Sequence, residues 1–212
     1  MHTTSIPALA GALALLTLGG AASADGLYVK GFAGMSQLSS TDATVGAAPT
    51  QTGLGFDPGL LAGGSIGWAY PERNMAVELE WAYRSGDASD LSAAIGTGGD
   101  LASTAAMVNA IYSFETVAGA PWRPYVGAGI GVVTEMDIDI DAGPEAGEFS
   151  GRGGTALQAI AGVAYQITDQ ISVLGDVRYF TVGEMTLDRA GGGTATVDYD
   201  TFDVSVGFKF AF

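Results

Sequence analysis

The chain has 212 residues, a formal charge of -15 at neutral pH, 33 glycines and no cysteine. This length suits a single domain, and the lack of cysteine excludes a disulfide framework. The acidic balance excludes nucleic acid as an expected partner, because binding phosphate needs a basic patch.

The N-terminal residues have the pattern of a secretory signal peptide. An apolar run over residues 8–18 is followed by small residues, and Ala22-Ser23-Ala24 matches the A-x-A cleavage pattern. The run is shorter than the roughly 20 apolar residues that a transmembrane helix needs. The sequence therefore predicts a signal peptide at residues 1–24 and one domain at residues 25–212.

Polarity alternates at every second residue in most of the remaining chain. The clearest segments are "MAVELEWAYR", "ALQAIAGVAYQI", "ISVLGDVRYF" and the final "TFDVSVGFKFAF". The same period fits "GLYVKGFAGM", "GLLAGGSIGWAY", "AAMVNAIYSF" and "PYVGAGIGVV". A period of two is typical of strands with one apolar and one polar face, so the pattern predicts eight strands.

The connections between these segments alternate in length. Short turns are predicted at residues 71–74, 118–122 and 168–170, and long polar stretches at residues 39–57, 85–103, 134–154 and 184–199. Short turns at one end, long loops at the other and an even strand number predict an all-β fold: an eight-stranded antiparallel up-and-down transmembrane β-barrel. The alternative is a soluble lipocalin-like barrel, whose apolar face would point inward.

Aromatic residues are expected to form two bands, as the two interfaces of a membrane barrel require. In a soluble core they would instead concentrate at mid-strand. One band lies beside the short turns and comprises Trp68, Tyr70, Tyr112, Phe114, Tyr125, Tyr165, Phe210 and Phe212. The other lies near the long loops and comprises Trp81, Tyr83, Tyr179 and Phe202.

The polar faces of the predicted strands carry equal numbers of cations and carboxylates. A narrow eight-stranded barrel would enclose them, so we expect an ion-paired plug of side chains rather than a pore. The predicted lumen network consists of Lys30, Glu78, Glu80, Arg84, Asp176, Arg178, Asp203 and Lys209. Most of the net negative charge then falls in the loops.

One acidic stretch, "DIDIDAGPEAGE", has the carboxylate spacing of a calcium loop. The candidate ligands of a divalent cation such as Ca²⁺ are Asp137, Asp139, Asp141, Glu145 and Glu148. Ala rather than Gly occupies the sharp-turn position, and strands rather than helices flank the stretch. A hydrated acidic loop is the alternative.

The G-x-S-x-G pattern around Ser65 matches the nucleophile elbow of serine hydrolases, which needs a strand-to-helix turn and a base. Here the pattern lies within a predicted strand, and the only histidine is His2, inside the predicted signal peptide. The sequence therefore predicts a protein that is not an enzyme.

Four segments, "GLYVKGFAG", "RPYVGAGIGVV", "QAIAGVAYQITDQISVLGDVRYF" and "VSVGFKFAF", resemble the small outer-membrane β-barrels of the opacity-protein type, which are similar in architecture to the outer-membrane protein A barrel. The resemblance covers residues 25–212. It implies a location in the outer membrane of a Gram-negative bacterium. It also implies that the final aromatic, Phe212, with Phe208 and Phe210 on the same face, is a signal read by the barrel-assembly machinery.

The expected function is a structural or surface-interaction role, adhesin-like or antigen-like, exerted through four long acidic extracellular loops. The expected partners are outer-membrane lipid, the barrel-assembly machinery and an extracellular or host surface ligand. No cofactor is expected apart from the candidate Ca²⁺, and a monomer is expected. The alternative function is a small-solute channel through the barrel lumen.

Overall fold

A computed structural model of the chain describes residues 26–39, 41–45, 51–54, 57–87, 98–115, 119–189 and 192–212. The predicted signal peptide lies outside the described residues. Within those ranges, no helix combines the length and the apolar character needed to cross a membrane.

Among the described residues, eight long antiparallel strands form the wall, and each is hydrogen-bonded to the next. They are β1 (Leu27–Leu38), β4 (Gly59–Tyr70), β5 (Met75–Asp87), β6 (Gly99–Ser113), β7 (Trp122–Ile140), β9 (Thr155–Gln166), β10 (Ile171–Arg189) and β11 (Thr194–Ala211). Three short strands extend the sheet at one end: β2 (Thr41–Val45), β3 (Gln51–Leu54) and β8 (Gly147–Gly151).

The ring closes between the first and the last strand. β11 pairs with β1 from Tyr28 opposite Ala211 to Leu38 opposite Thr201, and the additional pairings of β10 with β11 and β7 with β9 complete the circle. Closure removes exposed edges from the wall. The predicted all-β, eight-stranded antiparallel barrel is confirmed.

Tight turns occupy the end that holds both Leu27 and Phe212. A single 3-10 turn, Pro71–Arg73, joins β4 to β5 and ends at Asn74, whose φ of 54° lies in the left-handed region that asparagine tolerates. The turn from β9 to β10 is closed by Thr168, whose hydroxyl accepts the amide hydrogen of Ile171 at 3.0 Å. By the architecture of outer-membrane barrels, this is the periplasmic end.

At the opposite, extracellular end the strands continue well past the membrane. β7 and β10 have 19 residues each and β11 has 18, whereas about 9–11 suffice to cross a bilayer. The prediction of loops at residues 134–154 and 184–199 was therefore largely wrong, because apolar alternation persists there through inward-facing Met185, Leu187 and Val197. The other two predicted loops fall partly outside the described residues.

The outward face is apolar along the whole membrane region. Val206 and Phe208 are each 66% exposed, as expected of side chains that contact lipid. The two aromatic bands are present, with one correction: Tyr125 points into the lumen and is 6% exposed. Its position beside a short turn suggested that it belongs to the periplasmic band, but its neighbour Val126 is the residue that faces outward.

The interior has apolar ends and a charged middle. The extracellular half is filled by a large apolar cluster that includes Leu101, Met136, Phe149 and Leu187, and a smaller one around Tyr28, Ile111 and Leu174 fills the periplasmic end. The charged side chains lie between them.

Candidate functional site

The charged residues predicted for the lumen all face inward. Seven of them are buried: Lys30, Glu78, Glu80, Arg84, Asp176, Arg178 and Asp203. Lys209 is half-buried near the periplasmic end. Because an unpaired buried charge costs several kcal/mol, their pairing determines how the lumen is organised.

Arg178 is the centre of the largest cluster. Its Nη1 donates to Glu80 Oε2 at 2.9 Å and its Nε to Asp176 Oδ1 at 2.7 Å. Asp176 also accepts hydrogen bonds from the hydroxyls of Tyr125 and Ser205, each at 2.7 Å. One guanidinium therefore joins carboxylates from β5 and β10, and hydroxyls from β7 and β11 satisfy the remaining oxygen lone pairs.

Two amides complete the surroundings of Glu80. Asn109 Nδ2 donates to its Oε2 at 3.2 Å and Gln158 Nε2 to its Oε1 at 3.1 Å. Gln158 also donates to Asn109 Oδ1 at 2.6 Å. The sequence interpretation missed both amides and Tyr125, although each occupies an inward position of its strand and could have been found from the alternation.

Lys30 and Glu78 form a second cluster nearer the periplasm. Lys30 Nζ lies 2.6 Å from Glu78 Oε2, and the Tyr28 hydroxyl donates to Oε1 at 2.7 Å. Lys209 Nζ lies 5.3 Å from the centre of the Tyr28 ring and, within the described ranges, makes no ion pair. Lys209 therefore contacts this cluster through an aromatic face and not through a carboxylate.

Arg84 and Asp203 form the third cluster, nearer the extracellular side. Arg84 Nε donates to Asp203 Oδ2 at 2.9 Å, and Ser36 donates to Oδ1 at 2.7 Å. The guanidinium carbon lies 4.0 Å from the centre of the Phe180 ring. Among the described residues, the predicted lumen charges therefore form three ion-paired clusters, which ion pairs do not join to one another.

The candidate calcium ligands lie on a β-hairpin rather than in a calcium-type loop. Asp137 and Asp139 are on β7, opposite Ser150 and Glu148 of β8. Among the described residues, no group of three or more His, Cys, Asp or Glu side chains is arranged to hold a metal ion. Burial raises the pKa of Asp137, and the charges of Glu135 and Glu148 raise it further. The cation site remains a prediction.

The connection at the tip of this hairpin holds the remaining two candidate ligands, Asp141 and Glu145. Glu145 Oε2 lies 3.5 Å from Arg189 Nη1, so this carboxylate contacts a cation of the chain itself.

The three aromatics of the predicted assembly signal lie at the periplasmic end of the closing strand. Phe208 faces outward, Phe210 is half-buried, and the Phe210 and Phe212 rings meet edge to face with centroids 5.3 Å apart. This places them at the lipid-facing seam beside β1. Their role in assembly remains a prediction.

The G-x-S-x-G serine is part of the wall of the barrel. Ser65 lies within β4, is buried, and its hydroxyl donates to Glu78 at 3.4 Å. Glu78 is already held by Lys30 and Tyr28. The strand-to-helix turn that a nucleophile elbow needs is not formed at this position.

A sequence model of the family described as "Outer membrane protein beta-barrel domain" matches residues 8–210. The chain belongs to this family. The match spans most of the chain, so the family and its location, the outer membrane of Gram-negative bacteria, apply to the protein as a whole. No curated protein matches the sequence.

Among solved structures, Neisserial surface protein A is 16% identical with a TM-score of 0.56, covering 88% of this chain and 97% of that one. Outer membrane protein OprG of Pseudomonas aeruginosa is 16% identical with a TM-score of 0.55 over the same shares. Outer membrane protein W of Escherichia coli is 22% identical with a TM-score of 0.44, over 88% and 98%. The first two likenesses show the shared fold.

Proposed function

We propose that this outer-membrane barrel is a non-enzymatic, sealed scaffold with a structural or surface-interaction role at the extracellular side. The observation that carries the proposal is the filled lumen. Three ion-paired clusters occupy the middle of the barrel, and apolar clusters occupy both ends. Side chains that are hydrogen-bonded across the full width of the barrel leave solutes no continuous polar path.

The extracellular end supports the surface role. The long strands β7, β10 and β11 carry the sheet beyond the outer aromatic band, and the apolar cluster inside them gives that extension a core of its own. A packed projection holds its surface residues in place better than a loop of the same length does, because little conformational freedom is left to lose on binding.

The outer face of this projection supports a cationic or basic partner. Four carboxylates lie directly opposite one another on adjacent strands: Asp87 opposite Asp100, Asp100 opposite Asp139, and Asp139 opposite Glu148. Like charges in such positions repel each other. A basic ligand on the cell surface or on a host would relieve that repulsion.

The scaffold function is tested by conductance of the purified barrel in a planar bilayer. We expect no steady single-channel steps from the wild type. The matched control is the double variant Glu80→Ala with Arg178→Ala, which empties the middle layer and should raise leakage if it folds. Steady steps from the wild type would favour the small-solute channel instead.

The surface role is tested by binding of cells that display the barrel to beads coated with a cationic peptide. We expect weaker binding when Asp87, Asp100 and Asp139 are replaced by asparagine. The control variant carries Glu72→Gln and Asp169→Asn in the periplasmic turns, where the change should have no effect. Equal binding by both variants would exclude the acidic row as the contact surface.

We also propose that the barrel-assembly machinery reads the aromatics at the end of β11. This proposal is supported by a lipid-facing line of aromatic rings on the strand that closes the barrel. We expect Phe212→Ala to refold in detergent but to accumulate poorly in the outer membrane. The control is Phe202→Ala, an outward aromatic in the middle of the same strand, at the outer aromatic band. Equal surface levels would exclude the signal.

A further inference from the structure

Arg84 is a fully buried guanidinium with most of its donors unused by the protein. Its Nε is bound to Asp203, but no described group accepts a hydrogen bond from Nη1 or Nη2. The hydroxyl oxygen of Thr201 likewise has no hydrogen-bond partner among the described residues. Both side chains are 0% exposed. A buried guanidinium nitrogen without an acceptor costs far more than an exposed one, so the protein must hold an acceptor here.

Arg84 and Thr201, the two side chains with unsatisfied polar atoms, belong to one layer of the lumen. Thr201 lies directly opposite Phe180 across β10 and β11, and Arg84 stacks on that same ring at 4.0 Å. Tyr199, two residues before Thr201, has its ring centroid 6.0 Å from that of Phe180. Its hydroxyl accepts a hydrogen bond from Ser103, the residue opposite Arg84 on β6, at 2.9 Å. Hydroxyls from β6 and β11 therefore belong to the same layer of the lumen as the guanidinium.

We propose that this layer is a buried water site, in which ordered water accepts from Arg84 Nη1 and Nη2 and hydrogen-bonds the Thr201 hydroxyl. The local charges favour water over an anion. Asp203 already neutralises Arg84, and Arg178 in the neighbouring cluster is paired with Glu80 and Asp176. An added anion would be an uncompensated charge in a low-dielectric interior, whereas water is neutral and supplies both acceptors and donors.

The surroundings imply that this water is trapped. The apolar cluster with Leu101 and Phe149 lies on its extracellular side, and the hydrogen-bonded Arg178 cluster lies on its periplasmic side. Water held in this way is a structural component of the lumen and exchanges slowly with bulk solvent.

The first test is nuclear magnetic resonance of the refolded barrel in deuterated detergent. We expect nuclear Overhauser effects between water and both the Arg84 guanidinium hydrogens and the Thr201 methyl group. Their absence would overturn the proposal. Chemical shifts of these groups that respond to added bromide would overturn it in favour of an anion site.

The second test compares two replacements of Thr201. Valine keeps the shape of the side chain without its hydroxyl, and serine keeps the hydroxyl. If the hydroxyl binds water, Thr201→Val removes a partner of that water and should lower the urea midpoint of unfolding, while Thr201→Ser should remain close to the wild type. If the hydroxyl binds nothing, valine removes an unsatisfied polar group and should raise the midpoint. A raised midpoint for Thr201→Val would contradict the water site.

Discussion

Arg178 remains charged inside the barrel because its neighbours replace the hydrogen bonds that water would provide. Two carboxylates contact its guanidinium, and the face of the ion packs 3.9 Å from the centre of the Phe32 ring. Each carboxylate is in turn bound by hydroxyl or amide donors. At this scale, the charge of Arg178 depends on Asp176, two residues away on the same strand, and on Glu80 of the distant strand β5.

Removing Arg178 should therefore be costly. Arg178→Ala leaves Glu80 and Asp176 facing each other without a cation, and we expect the free energy of unfolding to fall by about 3–5 kcal/mol. Urea unfolding in lipid vesicles measures the loss. The matched control is Lys209→Met, since Lys209 makes no ion pair within the part of the chain that the structure describes. Equal losses from the two variants would show that the ion pairs do not stabilise the lumen.

A second prediction concerns the space that inward glycines leave for large side chains. A Cβ at Gly162 would lie 2.6 Å from Tyr125 Cζ and 2.7 Å from Asp176 Cβ. Gly162→Ala should displace the tyrosine from Asp176 and lower the free energy of unfolding by about 1–3 kcal/mol. Gly175→Ala is the control, because a Cβ there meets nothing within 4 Å. If both variants have the same free energy of unfolding, close packing of Tyr125 is not the reason why residue 162 is a glycine.

At the scale of the elements, the extracellular ends of β5, β6 and β7 are paired although their outward carboxylates repel one another. Asp87, Asp100 and Asp139 lie directly opposite one another on these three strands. They lie beyond the outer aromatic band, outside the membrane. Burial raises the pKa of Asp100, and Asp87 beside it raises that pKa further.

This shift determines how the strand ends respond to pH. A carboxyl whose pKa is higher in the folded than in the unfolded state stabilises the fold below its ordinary pKa, and that contribution is lost as the pH rises through the raised value. We expect amides near Asp87 and Asp100 to be better protected from hydrogen exchange at about pH 4 than at about pH 7, after correction for intrinsic rates.

The control for the pH effect is Asp100→Asn, which removes the titrating group and keeps its shape. This variant should be well protected at neutral pH and should lose most of the pH dependence. If it retains the full dependence, Asp100 is not the residue responsible.

At the scale of the whole molecule, the seam between β1 and β11 decides whether the sheet is a barrel or an open ribbon. Ala33 lies directly opposite Val206 across this seam, on the lipid-facing side. The chain has no cysteine, so a pair of introduced cysteines has no competing partners.

Closure predicts that Ala33→Cys with Val206→Cys can be joined covalently in the outer membrane, because directly opposite residues have Cβ atoms within about 4.5–5.5 Å. The joined protein should migrate differently on a denaturing gel with and without reductant. Ala33→Cys with Val177→Cys is the control, since Val177 lies one strand further away, on β10. Joining of the control pair alone would contradict the observed register.

The sequence by itself determined which residues face lipid and which face the lumen. A strand presents alternate residues to opposite faces, so the inward positions of Lys30, Glu80, Arg178 and Asp203 could be predicted without any knowledge of strand pairing. The short turns and the strand number were also local properties. Tyr125 was misplaced because its level along the strand was used instead of its face.

The tertiary structure decided which charges meet. Asp176 lies two residues from Arg178 on the same face of β10, so that pair is local, whereas strand register and the diameter of the ring bring Glu80 of β5 to Arg178. Only closure places Lys209 over a tyrosine ring and leaves the outer nitrogens of Arg84 with no acceptor in the part of the chain that the structure describes. These contacts join residues far apart in the chain, so they depend on strand register and ring size, which no local pattern specifies.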